Sequence, residues 1–156
     1  MKIKMLVMDV DGTMTDGKIY MGPQGEVMKA FSCLDGLGIA GLLPKMGIVP
    51  VIITGRSSQI TANRAKELHI NHVYQGVSDK LAVMDALAAE LGILREEIAY
   101  IGDDLNDRAC MEACGLTACP ADAAEEIVKM VDYVCHRSGG NGAVREFIDY
   151  LQMNGR

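Results

Sequence analysis

The chain has 156 residues, of which 49% are hydrophobic, and a formal net charge of −6 at pH 7. This length fits one domain spanning residues 1–156 with a full hydrophobic core, and the negative charge argues against nucleic acid or an anionic membrane as partner. No apolar stretch approaches the roughly 20 residues of a membrane span, and the run before Asp9 is too short for a signal-peptide core, so we expect a cytoplasmic protein.

The first predicted element is a buried strand that ends in two acids. In the sequence MLVMDVDGT, residues 5–13, an apolar run stops at Asp9, and Asp11 follows one residue later. Like charges held this close raise the free energy unless a cation or a shared proton offsets them. The simplest interpretation is a metal site that takes part in chemistry.

A β-hairpin is predicted directly after this strand, over residues 18–31. The sequence KIYMGPQGEVMKAF reads as two short strands around a Gly-Pro-Gln-Gly turn. Met21 and Met28 lie on these strands, where we expect them to pack at a subunit interface.

The remainder of the chain alternates between predicted strands and helices. Ser57 or Ser58 can cap one helix, and Gly92 ends another whose apolar residues recur at helical spacing. This order predicts an α/β fold with a doubly wound parallel sheet, interrupted by the inserted hairpin. Beyond the first, strands are predicted within residues 47–54, 71–76, 97–104, 115–120 and 132–135, and a last helix within 141–153.

Polar groups follow four of the predicted strands, and a parallel sheet gathers such groups at one edge. Each group alone has an ordinary structural interpretation, such as a turn, a helix cap or a solvated side chain. Their joint occurrence in this order is far more specific. The four groups are Asp9 with Asp11, Thr54-Gly55-Arg56, Lys80 at a helix start, and the acids Asp103, Asp104 and Asp107 of GDDLND.

This set of side chains suits phosphoryl transfer. One aspartate can attack phosphorus, and a second can protonate the leaving oxygen and then deprotonate the attacking water. A hydroxyl and an ammonium group can hold the phosphoryl oxygens, while Mg²⁺ on oxygen ligands neutralises the crowded negative charge.

The motifs DVDGT, TGR, DK and GDDLND resemble those of the haloacid dehalogenase superfamily of phosphohydrolases. The resemblance implies that Asp9 is the nucleophile and Asp11 the general acid and base. It implies that Thr54 and Lys80 bind the transferring phosphate. It also implies that Asp9, the backbone carbonyl of Asp11, and Asp103 hold Mg²⁺, with Asp104 and Asp107 in support.

Over nearly its whole length the chain is similar to the capless 3-deoxy-D-manno-octulosonate 8-phosphate phosphatases. The gaps between motifs are too short for a cap domain. The resemblance implies a homotetramer built around the hairpins, with the C-terminal segment 137–156 covering a neighbouring active site. An open site excludes water poorly, which favours such closure by a neighbour.

A phosphorylated sugar acid is the substrate that this narrower resemblance implies. Arginines suit a substrate with both carboxylate and phosphate groups. Arg56 favours the eight-carbon acid, whereas Leu34 and Ala40 stand where octulosonate phosphatases often carry arginine. A 9-phosphate phosphatase for nine-carbon, sialic-acid-type sugars is therefore the alternative. Besides Asp11 and Lys80, the contacts implied by position are Ser32, Cys33, Leu34, Asp35, Gly36, Gly55, Arg56 and Arg64.

Two other classes of protein remain as alternatives. A signalling receiver domain also combines acids, a threonine and a lysine on a doubly wound sheet. Its phosphate-accepting aspartate, however, follows the third strand, whereas here the Asp9 and Asp11 pair follows the first. A catalytically silent scaffold is disfavoured because all four motifs are intact.

Overall fold

A six-stranded parallel sheet forms the centre of the computed structural model, which describes residues 2–154. Elements are numbered along the chain, and the strands run in the order β5-β4-β1-β6-β7-β8. The sheet consists of β1 (Met5–Met8), β4 (Val49–Ile53), β5 (His72–Tyr74), β6 (Ile98–Ile101), β7 (Leu116–Cys119) and β8 (Tyr133–Val134).

The chain winds outward from β1 in both directions. It passes first from β1 to β4 and β5, and then returns to β6 on the other side of β1. The prediction of a doubly wound sheet is thus confirmed, and the strand order reverses between β1 and β6. Ligands of open α/β sheets bind at this reversal, outside the carboxyl ends of the strands.

Helices cover both faces of the sheet, and none of those within residues 2–154 is long and apolar enough to cross a membrane. A π-helical stretch (Gly38–Leu42) joins the first two helices into one segment. The helices are α1 (Cys33–Leu37), α2 (Leu43–Met46), α3 (Gln59–Glu67), α4 (Lys80–Leu91), α5 (Arg108–Ala113), α6 (Glu125–Val128) and α7 (Ala143–Met153).

Two hydrophobic clusters lie on opposite faces of the sheet. Strand β1 contributes Leu6 and Met8 to the cluster beneath the π-helical stretch, α2, α3 and α7, and Met5 and Val7 to the cluster beneath α4–α6. All four side chains are fully buried. Successive side chains of a strand point to opposite faces, so a strand covered on both sides must be apolar throughout.

The predicted helix boundaries follow from local backbone chemistry. Ser58 caps α3, and its hydroxyl accepts a hydrogen bond from the Thr61 backbone N–H at 3.4 Å. Gly92 ends α4 in a left-handed conformation with φ = 65°, which glycine adopts without steric penalty. Both residues therefore act as the sequence predicts, with Ser58 rather than Ser57 as the cap.

The inserted hairpin is present within the predicted range of residues 18–31. Strands β2 (Tyr20–Gly22) and β3 (Gly25–Met28) pair antiparallel, separate from the main sheet. Among the described residues, the hairpin and one helical segment fill the chain between β1 and β4, and α3 and β5 fill the chain between β4 and α4. The fold is capless, as predicted.

Candidate active site

The predicted acids meet at an open cavity of about 160 Å³ beside the carboxyl ends of β1, β4 and β6. Seven residues that the sequence analysis selected line it together. Asn106, the eighth, was not among the predicted site residues. The lining residues are Asp9, Asp11, Thr54, Gly55, Arg56, Asp103, Asp104 and Asn106.

Lys80 connects Asp9, which follows β1, with Asp107, which lies in the turn after β6. It is the first residue of α4, whose N-terminus is capped by Asp79. Its ammonium group donates to Oδ1 of Asp9 at 2.9 Å and to Oδ1 of Asp107 at 2.7 Å. All three side chains are almost completely buried, so this is a fully desolvated charge cluster in which each group depends on the others.

Asp107 is the structural support of this cluster. Its Oδ1 also accepts a hydrogen bond from the Tyr100 hydroxyl at 2.6 Å. Its Oδ2 accepts backbone N–H groups from Asp103 and Asp104 at 3.1 and 3.3 Å. Both carboxylate oxygens are thus engaged, and Asp107 holds Lys80 and the motif loop in place. Tyr100 was missed because it reads as an ordinary apolar strand residue.

The buried acids create an electrostatic demand for a cation. Oxygen atoms from Asp9, Asp103 and Asp107 lie within 4.8 Å of one another. Burial, followed by the charges of Asp9 and Asp107, raises the pKa of Asp103 to about 8. Burial and the charge of Asp107 also raise the pKa of Asp9, although Lys80 opposes them. A divalent cation would offset this repulsion and favour both ionised forms.

The donor set fits a hard cation such as Mg²⁺, which prefers oxygen ligands. Asp107 satisfies the distance criterion, but its oxygens already accept four hydrogen bonds. Asp9 and Asp103 are the better ligands, because among residues 2–154 the Asp103 carboxylate accepts a hydrogen bond only from the Thr13 hydroxyl, at 3.0 Å on Oδ1. The predicted pair of side-chain ligands, Asp9 and Asp103, is therefore placed together, and the ligand role itself stays a prediction.

Glycine at position 12 allows the loop after β1 to approach Asp103. Gly12 has φ = 95°, and a Cβ built there would lie 2.0 Å from Oδ2 of Asp103. Any side chain at this position would displace that carboxylate. The close approach of the two loops therefore requires glycine at this position of DVDGT, whatever part the neighbouring acids take in catalysis.

The loop before α7, which contains Gly139 and Gly140, packs on the loop after β1. A Cβ at Gly139 would lie 2.0 Å from the backbone oxygen of Gly12, and the Gly140 N–H donates to the Thr13 oxygen at 3.2 Å. The sequence analysis expected the segment 137–156 to cover a neighbouring site. Within one chain, its glycines support the chain's own site. Residues 155–156 lie outside the described residues.

The hairpin reaches the cavity through a network of charges that the sequence analysis missed. The Lys29 ammonium contacts Oδ1 of Asp11, and also Oε2 of Glu26 at 3.4 Å. Glu26 in turn accepts a hydrogen bond from Arg56 at 3.3 Å and one from the Ser58 hydroxyl. The only signal in the sequence was a pair of charges in a hairpin, a pattern typical of solvent-exposed strands.

The predicted contacts at residues 32–36 do not line the cavity. Ser32 caps α1, where its hydroxyl accepts the Leu34 N–H at 3.2 Å, and Cys33 is exposed. Arg64 lies beside this segment and donates to the Ser32 carbonyl at 3.3 Å and to Glu67 at 2.8 Å. In the single chain, these residues form a separate cluster, and their role as substrate contacts stays a prediction.

Asp35 is buried in that cluster and joins α1 to α7. Its Oδ1 accepts the Arg145 N–H in the first turn of α7 at 2.9 Å, whereas Oδ2 has no partner among the described residues. Burial raises the pKa of Asp35 to about 6, although that N–H and the charges of Arg64, Arg137 and Arg145 act in the opposite direction.

Comparison with known proteins agrees with this fold and site. A family model described as haloacid dehalogenase-like hydrolase matches residues 56–148. Together with the relatives below, this match shows that the chain belongs to the haloacid dehalogenase-like hydrolases. The alternative of a receiver domain loses its support.

The curated and solved relatives identify a narrower group. The chain is 46% identical to a 3-deoxy-D-manno-octulosonate 8-phosphate phosphatase from Salmonella typhi, over 97% of the chain and 80% of the relative. A crystal structure of the Moraxella catarrhalis enzyme of that name, with magnesium, phosphate and KDO, gives a TM-score of 0.92 at 42% identity, covering 97% and 86%. The cobalt-bound structure of the Haemophilus influenzae deoxy-D-mannose-octulosonate 8-phosphate phosphatase gives a TM-score of 0.94 at 36% sequence identity. The match covers 97% of this chain and 88% of that structure.

We expect millimolar Mg²⁺ to raise the unfolding temperature of the protein, because binding to the folded state alone stabilises it by about 2.7 kcal/mol at a hundredfold excess over Kd. Asp103→Asn should lose most of this increase, since it removes one carboxylate ligand. Differential scanning fluorimetry measures both. Asp149→Asn, on the outer side of α7, is the control. An equal increase in the Asp103 variant would contradict the assigned ligand.

We also expect Asp35→Asn to change how stability depends on pH. Because the pKa of Asp35 is higher in the folded protein, at about 6, than the ordinary 3.8, ionisation of Asp35 destabilises the fold as pH rises through this range. The variant lacks this penalty. Its free energy of unfolding relative to wild type should rise by roughly 2–3 kcal/mol between pH 4 and pH 7.

Urea unfolding across that pH range measures the difference for Asp35→Asn, with Glu90→Gln, at an exposed residue of α4, as the control. A difference that stays constant with pH would show that the Asp35 carboxyl does not carry the penalty.

Proposed function

We propose that the protein is an Mg²⁺-dependent phosphatase that hydrolyses the phosphate monoester of a sugar acid, 3-deoxy-D-manno-octulosonate 8-phosphate being the first candidate. The observation that carries this proposal is the buried Asp9–Lys80–Asp107 cluster, whose Asp9 lines one cavity together with Asp11. The names of the relatives at 42–46% identity support the choice of substrate.

Asp9 is the proposed nucleophile. Lys80 holds its Oδ1 at 2.9 Å and thereby fixes the carboxylate at the end of β1. An Asp9 oxygen attacks phosphorus and forms an aspartyl-phosphate, while the bond from phosphorus to the sugar oxygen breaks. Thr54 and Lys80 hold the phosphoryl oxygens, and Asp11 gives its proton to the departing sugar oxygen.

The second step regenerates Asp9. Asp11, now a carboxylate, takes a proton from a water molecule, and the resulting oxygen attacks the phosphorus of the aspartyl-phosphate. Inorganic phosphate leaves, Asp9 is a carboxylate again, and Asp11 carries the proton for the next cycle. Arrangement of the groups and charge stabilisation supply most of the catalysis in such reactions.

Asp9, the backbone carbonyl of Asp11, and Asp103 are the proposed Mg²⁺ ligands, with Asp104 and Asp107 in support. When bound, the ion supplies positive charge that lets the nucleophile and the phosphate share one site. Asp104 caps the turn that carries this motif by accepting the Leu105 N–H at 2.8 Å.

Arg56 is the proposed contact for the acidic sugar. It lines the cavity and its side chain is 46% exposed, so its guanidinium can reach a carboxylate. Leu34, 44% exposed, lies outside the cavity lining. The other predicted substrate contacts lie outside the cavity lining, so they would touch the substrate only in an assembly that brings another surface to them. These residues are Ser32, Cys33, Asp35, Gly36 and Arg64. A nine-carbon 9-phosphate is the second candidate substrate.

A homotetramer is the proposed assembly, and the cytoplasm the proposed location. The hairpin supports the assembly because four apolar side chains on its two strands are exposed, a pattern typical of protein interaction sites. These residues are Tyr20, Met21, Val27 and Met28, at 39%, 64%, 63% and 51% exposure.

The enzymatic proposal predicts phosphate release in the presence of Mg²⁺ from octulosonate 8-phosphate, faster than from a nine-carbon 9-phosphate or ordinary sugar phosphates. Asp9→Asn should lower kcat by at least about 10³-fold, since it removes the nucleophile while the fold persists. A phosphate-release assay measures both, with Asp149→Asn as control.

Preference for the nine-carbon acid would keep the mechanism and change the substrate. No release from any phosphate ester, or an Asp9→Asn variant that retains more than about a tenth of the activity, would overturn the proposal.

The assembly proposal predicts a tetramer in size-exclusion chromatography with light scattering. The double variant Met21→Asp/Val27→Asp should give smaller species, because charges on the hairpin disfavour burial against another copy. Leu94→Asp, at an equally exposed apolar residue (59%) outside the hairpin, should remain tetrameric. Identical masses for all three proteins would contradict the assigned surface.

A further inference from the structure

Lys29 is buried in an otherwise accessible hairpin. Among residues 18–31, all of which the structure describes, it is the only buried residue, and its side chain is 1% exposed. Its neighbours in sequence, Met28 and Ala30, are exposed. A buried ammonium group is strongly unfavourable unless it is paired and hydrogen-bonded, so its partners explain its position.

Those partners are the catalytic loop and the hairpin itself. The Lys29 ammonium donates to Oδ1 of Asp11, 18 residues earlier in the chain, and lies 3.4 Å from Oε2 of Glu26. Glu26 is in turn held by Arg56 and Ser58, which follow β4. The hairpin is thereby attached to two of the three loops that line the cavity, those after β1 and β4.

The two oxygens of Asp11 have different surroundings. Lys29 occupies Oδ1, whereas no donor among residues 2–154 contacts Oδ2, and the side chain, 17% exposed, lines the cavity. With one oxygen held, the rotation of the carboxylate is restricted, and the other oxygen is available to a ligand. A carboxylate that borders an open cavity without such a partner would exchange between rotamers.

We propose that Lys29 is a positioning residue, which holds Oδ1 of the Asp11 carboxyl group so that Oδ2 carries the proton and transfers it to the leaving oxygen. This inference rests on the proposed function, in which Asp11 is the general acid. Lys29 does not touch the phosphate and acts through Asp11. The hairpin then has two functions, because its outer surface is apolar and its one buried side chain orients a catalytic group.

The test compares leaving groups. A sugar or simple alkyl oxygen must be protonated as it leaves, whereas p-nitrophenolate leaves without a proton. The ratio kcat/KM includes the steps up to departure of the leaving group, so it isolates this difference from hydrolysis of the aspartyl-phosphate. General acid catalysis contributes roughly 10²–10⁴-fold where it is needed.

Lys29→Met should therefore lower kcat/KM by at least about 10-fold for alkyl phosphates, including the sugar acid phosphate, and by less than about 3-fold for p-nitrophenyl phosphate. Asp11→Asn should show the same selectivity with a larger loss. Lys18→Met, at an exposed lysine in the same hairpin segment, should match wild type for both substrates.

Unfolding temperatures with and without Mg²⁺ confirm that each variant is folded. If Lys29→Met does not fold, Lys29→Gln, whose polar side chain suits the charged surroundings, enters the same comparison. An equal loss for both leaving groups, or no loss for either, would overturn the positioning role. A wild type that cleaves simple alkyl phosphates but not the sugar acid phosphate would overturn only the proposed substrate, because the leaving-group comparison can still be made.

Discussion

The pairing of Lys80 with Asp9 and Asp107 is the interaction on which the rest of the site depends. One buried ammonium group compensates two buried carboxylates that follow the adjacent strands β1 and β6. Removal of Lys80 would leave two buried carboxylates without their shared cation, which is among the least tolerated changes in a protein. The cluster joins β1, α4 and the turn after β6, so the fold and the chemistry are stabilised by the same contacts.

This cluster leaves the site short of positive charge. Lys80 compensates only part of the acidity, and burial keeps the pKa values of Asp9 and Asp103 raised. The requirement for a cation therefore follows from the arrangement of the protein itself. Asp107 contributes by accepting hydrogen bonds from four partners, so the oxygens of Asp9 and Asp103 are better placed than its own to meet a cation.

Close backbone approach is the second physical constraint. Gly12 lies against Asp103, and Gly139 lies against Gly12. These contacts stack three segments that are distant in sequence, and no side chain fits between them. The loop before α7 thus fixes the position of the loop after β1 through backbone contacts alone. This support is significant because no inserted cap covers the site within residues 2–154.

The sequence by itself determined the fold class, the hairpin and most of the cavity lining. Motifs at strand ends can be recognised from the sequence because a parallel sheet brings the carboxyl ends of its strands to one edge. The sequence alone therefore predicted that Asp9, Thr54 and Asp103 lie close together. Buried strands such as β1 can be predicted from an uninterrupted apolar run, because a strand covered on both faces has no position for a polar side chain.

The tertiary structure alone decided which charges meet. Lys29 looked like a solvated hairpin lysine and Tyr100 like a core residue, yet both donate to catalytic-site carboxylates. Asp35 matched a substrate contact by position, but it is buried against the start of α7. Such pairings depend on burial and on distances between remote segments. Local sequence patterns carry no information about either, because a charged side chain has the same local preferences whether its partner is water or a buried carboxylate.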